Sequence, residues 1–173
     1  ICGTSNFRIP GLPAEDFPTL PMGDVSEGIS ISQGSLKSLV TKKVYAMSLE
    51  ETRFILNGAL LKTQQQELVM VATDGRRLAM ARAPLAQNPA TSLEAVIPAK
   101  TIREIGRLLQ NEGESEVIIS SLKDNQLIFQ AGALRIVTRL IEGQFPPYEK
   151  VIPPETKQVC VVSRQDFTNA IRR

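Results

Sequence analysis

A short pattern that occurs three times decides the fold, and its first copy reads Ile31-Ser32-Gln33-Gly34-Ser35-Leu36-Lys37-Ser38-Leu39-Val40. The other copies start at Ile97 and Val162, so the starting residues lie 66 and then 65 positions apart. Each copy has a β-branched residue, then Ser or Pro, then apolar residues five and eight positions after the first. β-Branched residues favour strands, Ser and Pro favour helix starts, and apolar steps of three or four residues mark one helix face. Each copy therefore predicts a strand, a tight turn and a helix.

A second repeat has about twice this period. Phe17-Pro18 and Phe145-Pro146 lie 128 positions apart, and a similar short run precedes each, Phe7-Arg8-Ile9 in one case and Leu134-Arg135-Ile136 in the other. Self-similarity at a regular period indicates a repeated structural unit, here a domain of two similar halves. We expect the tail of a first domain and a connector over residues 1–24, a complete domain over 25–154, and the truncated start of a third domain over 155–173.

Two βαβββ halves are predicted for the complete domain, which together make an α+β fold of two helices and two antiparallel sheets. The first half is predicted to consist of a strand over 28–32, a helix over 33–47 and strands over 53–63, 67–73 and 77–83. The second half is predicted to consist of a strand over 93–97, a helix over 99–111 and strands over 116–121, 126–130 and 133–141. Residues 6–9 are expected to form one more short strand. Asp74-Gly75, between two apolar runs, is typical of a hairpin turn.

The composition argues against most enzyme classes. At 42% hydrophobic, the 173 residues can bury a core, and a net charge of +2 does not by itself indicate a nucleic-acid binder. The chain has no histidine, the usual general base and commonest metal ligand, and no Gly-rich phosphate loop. Its two cysteines, Cys2 and Cys160, lie far apart, which favours reduced thiols in the cytoplasm. We therefore predict no catalytic residues, no metal, no cofactor and no membrane span, since no apolar run approaches the ~20 residues needed.

Basic residues follow one face of each predicted helix. In the second helix they are spaced by three and four residues, so they share a face: Lys100, Arg103 and Arg107. In the first helix Lys37 holds the equivalent face, Lys42 lies at its edge and Lys43 lies nearer the buried side. Two such helices side by side would offer a basic surface to phosphates, which Lys and Arg bind without reading sequence. The spacing alone favours an ordinary solvated face.

The densest local feature is Thr73-Asp74-Gly75-Arg76-Arg77-Leu78. Its arginines, its backbone groups and the apolar Leu78 could meet a partner protein. Turn chemistry alone favours a well-made β-turn with solubilising arginines. Only eight aromatic residues are present, none of them Trp, which gives little support for single-strand nucleic-acid binding.

Four stretches of the chain resemble the bacterial sliding clamp family, the beta subunits of DNA polymerase III, and the resemblance covers essentially the whole chain. They are 54–58 (FILNG), 71–79 (VATDGRRLA), 97–100 (IPAK) and 142–148 (EGQFPPY). The resemblance implies the DNA-clamp fold, in which pseudo-two-fold βαβββ repeats place two helices on one side and two antiparallel sheets on the other. It also implies a homodimeric ring that encircles double-stranded DNA and gives the polymerase processivity without catalysing a reaction. The DNA-facing residues would then be Lys37, Lys42, Lys100, Arg103 and Arg107.

The resemblance further implies a pocket that takes a short peptide motif from partner proteins. These partners are the polymerase catalytic subunit, the clamp loader and other proteins that carry a clamp-binding motif. Matching positions assign to this pocket Leu56, Thr73, Gly75, Arg76, Arg77, Leu78, Pro146, Lys150 and Val151. Two of them depart from the best-known members, since Arg76 replaces a His and Lys150 replaces an Arg. The alternatives are a repeat protein of the same fold that binds partners without DNA, and a small hydrolase or transferase, which the missing histidines and phosphate loops disfavour.

Overall fold

The repeat seen in the sequence is visible as two βαβββ halves in the computed structural model, which describes residues 3–4, 6–8, 10–17, 28–89, 91–110, 115–154 and 158–173. The first half consists of β1 (Ile29–Ser32), α1 (Gln33–Thr41), β2 (Gly58–Gln64), β3 (Glu67–Thr73) and β4 (Leu78–Pro84). The second half consists of β5 (Glu94–Pro98), α2 (Ala99–Leu108), β6 (Glu116–Leu122), β7 (Gln126–Ala131) and β8 (Leu134–Arg139). The predicted element order of both halves is confirmed.

The two halves exchange their first strands. All strand pairs are antiparallel, and the sheets have the orders β1-β6-β7-β8 and β4-β3-β2-β5. Ile31 pairs with Val117 of the second half, and Ile97 pairs with Ala59 of the first half. Each sheet therefore contains three strands of one half and one strand of the other, so neither half can complete its sheet alone.

The helices lie side by side over the inner faces of both sheets. The Ser32 hydroxyl caps α1 by accepting a hydrogen bond from the Ser35 amide, and Pro98 occupies the cap position of α2. A β-carbon on Gly106 would lie 3.0 Å from Val40 Cγ1, so this glycine permits the close approach of the two helices. The apolar stripes predicted from spacing, such as Ile102 and Ile105 of α2, are buried in the main core.

The sheet β4-β3-β2-β5 is buried on both faces. In β3, Leu68 and Met70 face the helices and belong to the main core, whereas Val69 and Val71 belong to a smaller cluster on the opposite face. That outer cluster is completed by residues from β2, β5 and the segments next to them: Leu56, Leu60, Val96, Phe145 and Tyr148. The outer face of this sheet is thus covered by the segment that follows β8, and this covering places the site described below.

Two predicted elements of the first half end or start elsewhere. The helix predicted over 33–47 ends at Thr41 and is followed by a 3₁₀ helix, Val44–Ala46. The break takes the chain off the helix axis and lets Ala46 and Met47 enter the core, where they are 0% and 2% exposed. The strand predicted over 53–63 starts only at Gly58, because a 3₁₀ helix, Glu51–Leu56, precedes it. Asn57 ends that helix, its amide donating to Phe54 O and its side-chain nitrogen to Glu50 O.

The ends of the chain depart most from prediction. Residues 6–8 are not in a strand, and residue 9 of that predicted strand lies outside the described residues. The third copy of the pattern forms a helix, α3 (Arg164–Ile171), capped by Ser163, but residues 158–162 form no strand and none of the helix is buried. A strand requires a neighbour to receive its backbone hydrogen bonds, and the described part of the chain supplies none here. The expected domain boundaries, at 24–25 and 154–155, fall in or beside residues outside the described part.

Among the described residues, no helix is long and apolar enough to cross a membrane, and no cluster of three or more His, Cys, Asp or Glu side chains is arranged to hold a metal ion.

Candidate functional site

The nine residues assigned to a peptide pocket line one groove of about 500 Å³. They come from the end of the 3₁₀ helix Glu51–Leu56, from the β3–β4 hairpin, and from the segment that follows Phe145. Pro147 and Tyr148 line the same space and were not predicted. Both belong to the stretch 142–148 that carried the resemblance, so the sequence contained a signal for them. The groove is defined here by these eleven residues.

The hairpin side of the groove is a four-residue loop closed by the side chain of Asp74. Its Oδ1 accepts hydrogen bonds from the amides of Arg76 and Arg77, both 3.0 Å long, and its Oδ2 accepts one from Arg77 Nε at 3.0 Å. The two backbone amides, more than the guanidinium, hold the pKa of Asp74 below its ordinary value. The return strand β4 therefore starts at Leu78 instead of the predicted residue 77.

Thr73 and Gly75 complete the loop. The Thr73 hydroxyl donates to Arg77 O at 2.7 Å and accepts from the Gly75 amide at 3.0 Å. Gly75 has a φ of +88°, a conformation that favours glycine, and Arg53 Nη1 donates to the neighbouring Asp74 carbonyl at 3.3 Å. Because these bonds link consecutive residues to one another, the loop presents a fixed backbone to the groove.

The floor of the groove is apolar and rests on the sheet. Leu56 is 7% exposed and belongs to the outer cluster with Val69 and Val71, and Leu78 packs against that cluster. On the opposite side, Val151 is 69% exposed, although Tyr148 at the start of the same 3₁₀ helix is buried in the outer cluster. An exposed apolar side chain beside an apolar floor provides a surface for the hydrophobic anchor of a peptide.

The rim of the groove is basic. Arg77 is held by Asp74, and its Cζ lies 5.7 Å from the centroid of the Tyr45 ring. Arg76 and Lys150 are exposed, and neither forms an ion pair within the described ranges. Two cations on opposite sides of an apolar floor favour a ligand that combines apolar and acidic groups.

The predicted basic residues lie on α1 and α2, away from the groove. We call Lys37, Lys42, Lys100, Arg103 and Arg107 the basic strip. Lys42 and the three residues of α2 are exposed, as spacing predicted, and Lys43 is buried, as expected for the inner side. Burial, and secondarily the charge of Lys42, lowers the pKa of Lys43.

Two members of the basic strip are already engaged. The half-buried Lys37 donates from Nζ to Leu109 O at 2.7 Å, so its ammonium caps the C-terminal end of α2. Arg107 donates from Nε and Nη2 to Glu104 Oε2 at 3.0 and 2.8 Å. The strip therefore offers Lys42, Lys100 and Arg103 as its less restrained charges. The DNA-facing role of Lys37 stays a prediction, and its ammonium is already bonded to the end of the neighbouring helix.

The family described as "DNA polymerase III beta subunit, central domain" matches residues 30–147. The chain belongs to this family. The resemblance to the sliding clamp family and the predicted α+β clamp fold are both confirmed.

Beta sliding clamps of known sequence and structure are similar over nearly the whole chain. Those of Caulobacter vibrioides and Pseudomonas aeruginosa are 34% and 35% identical, and each match covers 99% of this chain and 46% of the relative. The solved sliding clamp of Bacillus subtilis has a TM-score of 0.87 at 34% identity, covering 98% of this chain and 44% of that one. A solved Pseudomonas aeruginosa clamp bound to griselimycin has a TM-score of 0.82 at 35% identity, covering 93% and 43%. The chain thus spans about half the length of these relatives.

Proposed function

We propose that this beta-subunit chain is part of a sliding clamp that encircles duplex DNA as a homodimeric ring and confers processivity on the replicative polymerase. The observation that carries the proposal is the groove, since residues from three separated segments meet there around an apolar floor with a basic rim. Family membership supports it, because the similar proteins of known name are beta sliding clamps. The ring has no catalytic role in this proposal and acts in the bacterial cytoplasm.

The groove is proposed to receive a short linear motif from partner proteins. The partners are the polymerase catalytic subunit, the clamp loader and other proteins that carry the motif. Leu56, Leu78 and Val151 would contact its hydrophobic residues, while Arg76 and Lys150 would border it. The Asp74-centred loop keeps one side of the groove in place, so little ordering is required on binding.

The basic strip is proposed to face the DNA. A ring that topologically encloses DNA does not need tight phosphate contacts, and a strip in which Lys37 and Arg107 are engaged within the protein is consistent with weak, mobile contact. Each side chain that neutralises a phosphate makes DNA binding more dependent on salt. The slope of log K against log salt concentration therefore counts the phosphate contacts.

Residues 25–154 are proposed to be the middle of three clamp domains, with residues 1–24 belonging to the preceding domain and 155–173 to the following one. Phe145 is 7% exposed against the outer cluster of its own domain, whereas its repeat counterpart Phe17 is 76% exposed. Phe167 of α3 is 57% exposed, although the equivalent Leu36 and Ile102 are fully buried. These contrasts support the assignment of both end segments to other domains.

The test uses the full-length protein and a fluorescent peptide, Gln-Leu-Ser-Leu-Phe, with binding measured by polarisation. Leu78→Asp should abolish the micromolar binding expected of the parent, because it places a charge on the apolar floor. Leu49→Asp is the matched control, since Leu49 is 81% exposed and outside the groove, and it should bind like the parent. A folded parent that binds no peptide refutes the groove assignment. A second measurement separates a clamp from a protein that binds partners only: a clamp is retained on circular DNA and lost from linear DNA.

A further inference from the structure

Lys62 lies outside the groove but contacts one of its sides. It lies in β2 on the same face as Leu60, which places it under the segment that follows β8. Its side chain is only 17% exposed. A partly buried lysine on the outer face of a sheet needs a charged or aromatic partner, because burial without one is unfavourable.

Two successive residues of the 3₁₀ helix Tyr148–Val151 provide these partners. Lys62 Nζ lies 2.8 Å from Glu149 Oε1 and 4.9 Å from the centroid of the Tyr148 ring. The pKa of Lys62 is raised, first by the Glu149 carboxylate and then by Tyr148, and the pKa of Glu149 is lowered, first by Lys62. Both directions mean that the charged pair is favoured over its neutral forms.

This short helix has little stability of its own. The backbone hydrogen bonds at its two ends, from Lys150 N to Pro147 O and from Ile152 N to Glu149 O, are long at 3.3 and 3.4 Å. Four residues are also too few to form a helix without tertiary contacts. Tyr148, 5% exposed in the outer cluster, fixes one point of the helix, and the Lys62–Glu149 pair fixes a second.

We propose that Lys62 is a positioning residue for the groove. By holding Tyr148 and Glu149, it sets the rotation of the helix so that the next two residues, Lys150 and Val151, face the β3–β4 hairpin. The inference rests on the proposed peptide-binding function, although the contacts of Lys62 do not. Glu94, opposite Lys62 in the β2–β5 register, forms no ion pair with it, so the interaction with Glu149 is the specific one.

A charge exchange in the full-length protein tests the proposal. Lys62→Glu and Glu149→Lys should each weaken binding of the Gln-Leu-Ser-Leu-Phe peptide about five- to tenfold, because each breaks the ion pair and the first also removes the cation from the Tyr148 ring. The double variant should recover the part of the affinity that depends on the ion pair, since the pair is restored in reverse, but not the part that depends on the cation over the Tyr148 ring. Rescue in the double variant would show that the two charges act on each other and not each through separate contacts.

The matched control is Arg82→Glu, which reverses a charge in the same sheet and breaks the Arg82–Glu67 pair without touching the groove. It should leave the peptide affinity within about twofold of the parent, the scatter expected for an exposed pair. Hydrogen exchange gives a readout that needs no peptide: the amides of Lys150 and Ile152 should exchange faster in Lys62→Glu and return towards parental rates in the double variant.

Three results would overturn the inference. Parental affinity and exchange in Lys62→Glu would show that the ion pair does not position the helix. A double variant no better than the weaker single variant would show that Lys62 does not act through its pair with Glu149. A folded parent that binds no peptide would overturn the proposed function and this inference together, whereas the first two results leave the proposed function standing.

Discussion

Replacing Thr73 by Val should lower the stability of the chain and the affinity of the groove for a peptide, while preserving the shape of the groove. The two side chains have nearly the same volume, so the apolar contacts of this 9% exposed residue are kept. The hydroxyl, however, makes both the 2.7 Å bond to Arg77 O and the 3.0 Å bond from the Gly75 amide. The substitution therefore tests whether these bonds, rather than packing, hold the hairpin side of the groove.

The size of the effect follows from the number of bonds and their exposure. A protein hydrogen bond contributes about 1 kcal/mol net, so two contribute about 2 kcal/mol. Because Gly75 and Arg77 are exposed, water can replace part of what is lost. We expect the free energy of unfolding to fall by about 1–2 kcal/mol and the peptide Kd to rise by at most about thirtyfold, since 1.4 kcal/mol corresponds to a factor of ten.

The assay combines urea unfolding of the chain with peptide polarisation on the full-length protein. Thr63→Val is the matched control, because its hydroxyl accepts a 2.9 Å bond from the Leu93 amide and neither residue lines the groove. The control should lose about 1 kcal/mol of stability and no peptide affinity. If Thr73→Val and Thr63→Val show the same peptide Kd, the argument that the hydroxyl holds the groove is refuted.

Three further results are expected. Gly75→Ala should cost about 1–2 kcal/mol in urea unfolding, because its φ is +88° and the new β-carbon would lie 3.0 Å from Arg53 Nη1, whereas Gly11→Ala, in open space, should change nothing. The free energy of unfolding of this chain, measured in urea, should be constant between pH 5.5 and 8, because the chain has no histidine. The stabilisation by Asp74, whose folded pKa is lowered, is complete above the ordinary aspartate pKa and is lost as the pH falls through the lowered one. A titration step near pH 6.5 would contradict this. Lys100→Ala should reduce the slope of log K for DNA binding against log salt concentration by about one. Lys37→Ala should lower Tm and leave that slope unchanged, since Lys37 caps α2. Equal slopes in the two variants would refute the assignment of their roles.

Local signals in the sequence were sufficient for the repeat, the helices and their buried faces. Ser32, Pro98 and Ser163 mark helix starts because capping depends only on neighbouring residues. Ile102 and Ile105 are buried where the three-residue spacing places them. The hairpin around Asp74 was also predictable, since the bonds made by the side chains of Thr73 and Asp74 join residues at most four positions apart. The groove residues came from the resemblance, not from these patterns.

The failures share a physical cause. Residues 53–56 were predicted as a strand, yet they lie in a 3₁₀ segment that is kinked at Arg53, because Asn57 bonds back to Glu50 and strand pairing starts only at Gly58. Residues 158–162 repeat a pattern that forms strands elsewhere, but a strand exists only where another receives its hydrogen bonds. Periodicity describes which face of a segment is apolar and does not say what covers it.

By itself, the sequence determined two βαβββ halves, the inner faces of α1 and α2, and a tight loop at Asp74. Only the tertiary structure decided that β1 and β5 exchange sheets, that the segment after Phe145 covers β2 and β3, and that Lys62 meets Glu149, 87 positions away. Lys37 and Arg103 occupy equivalent places in the repeat, yet Lys37 bonds to the carbonyl end of the other helix whereas Arg103 is exposed. Local patterns depend on neighbours in the chain, whereas these contacts depend on which surfaces meet when both halves pack into one core.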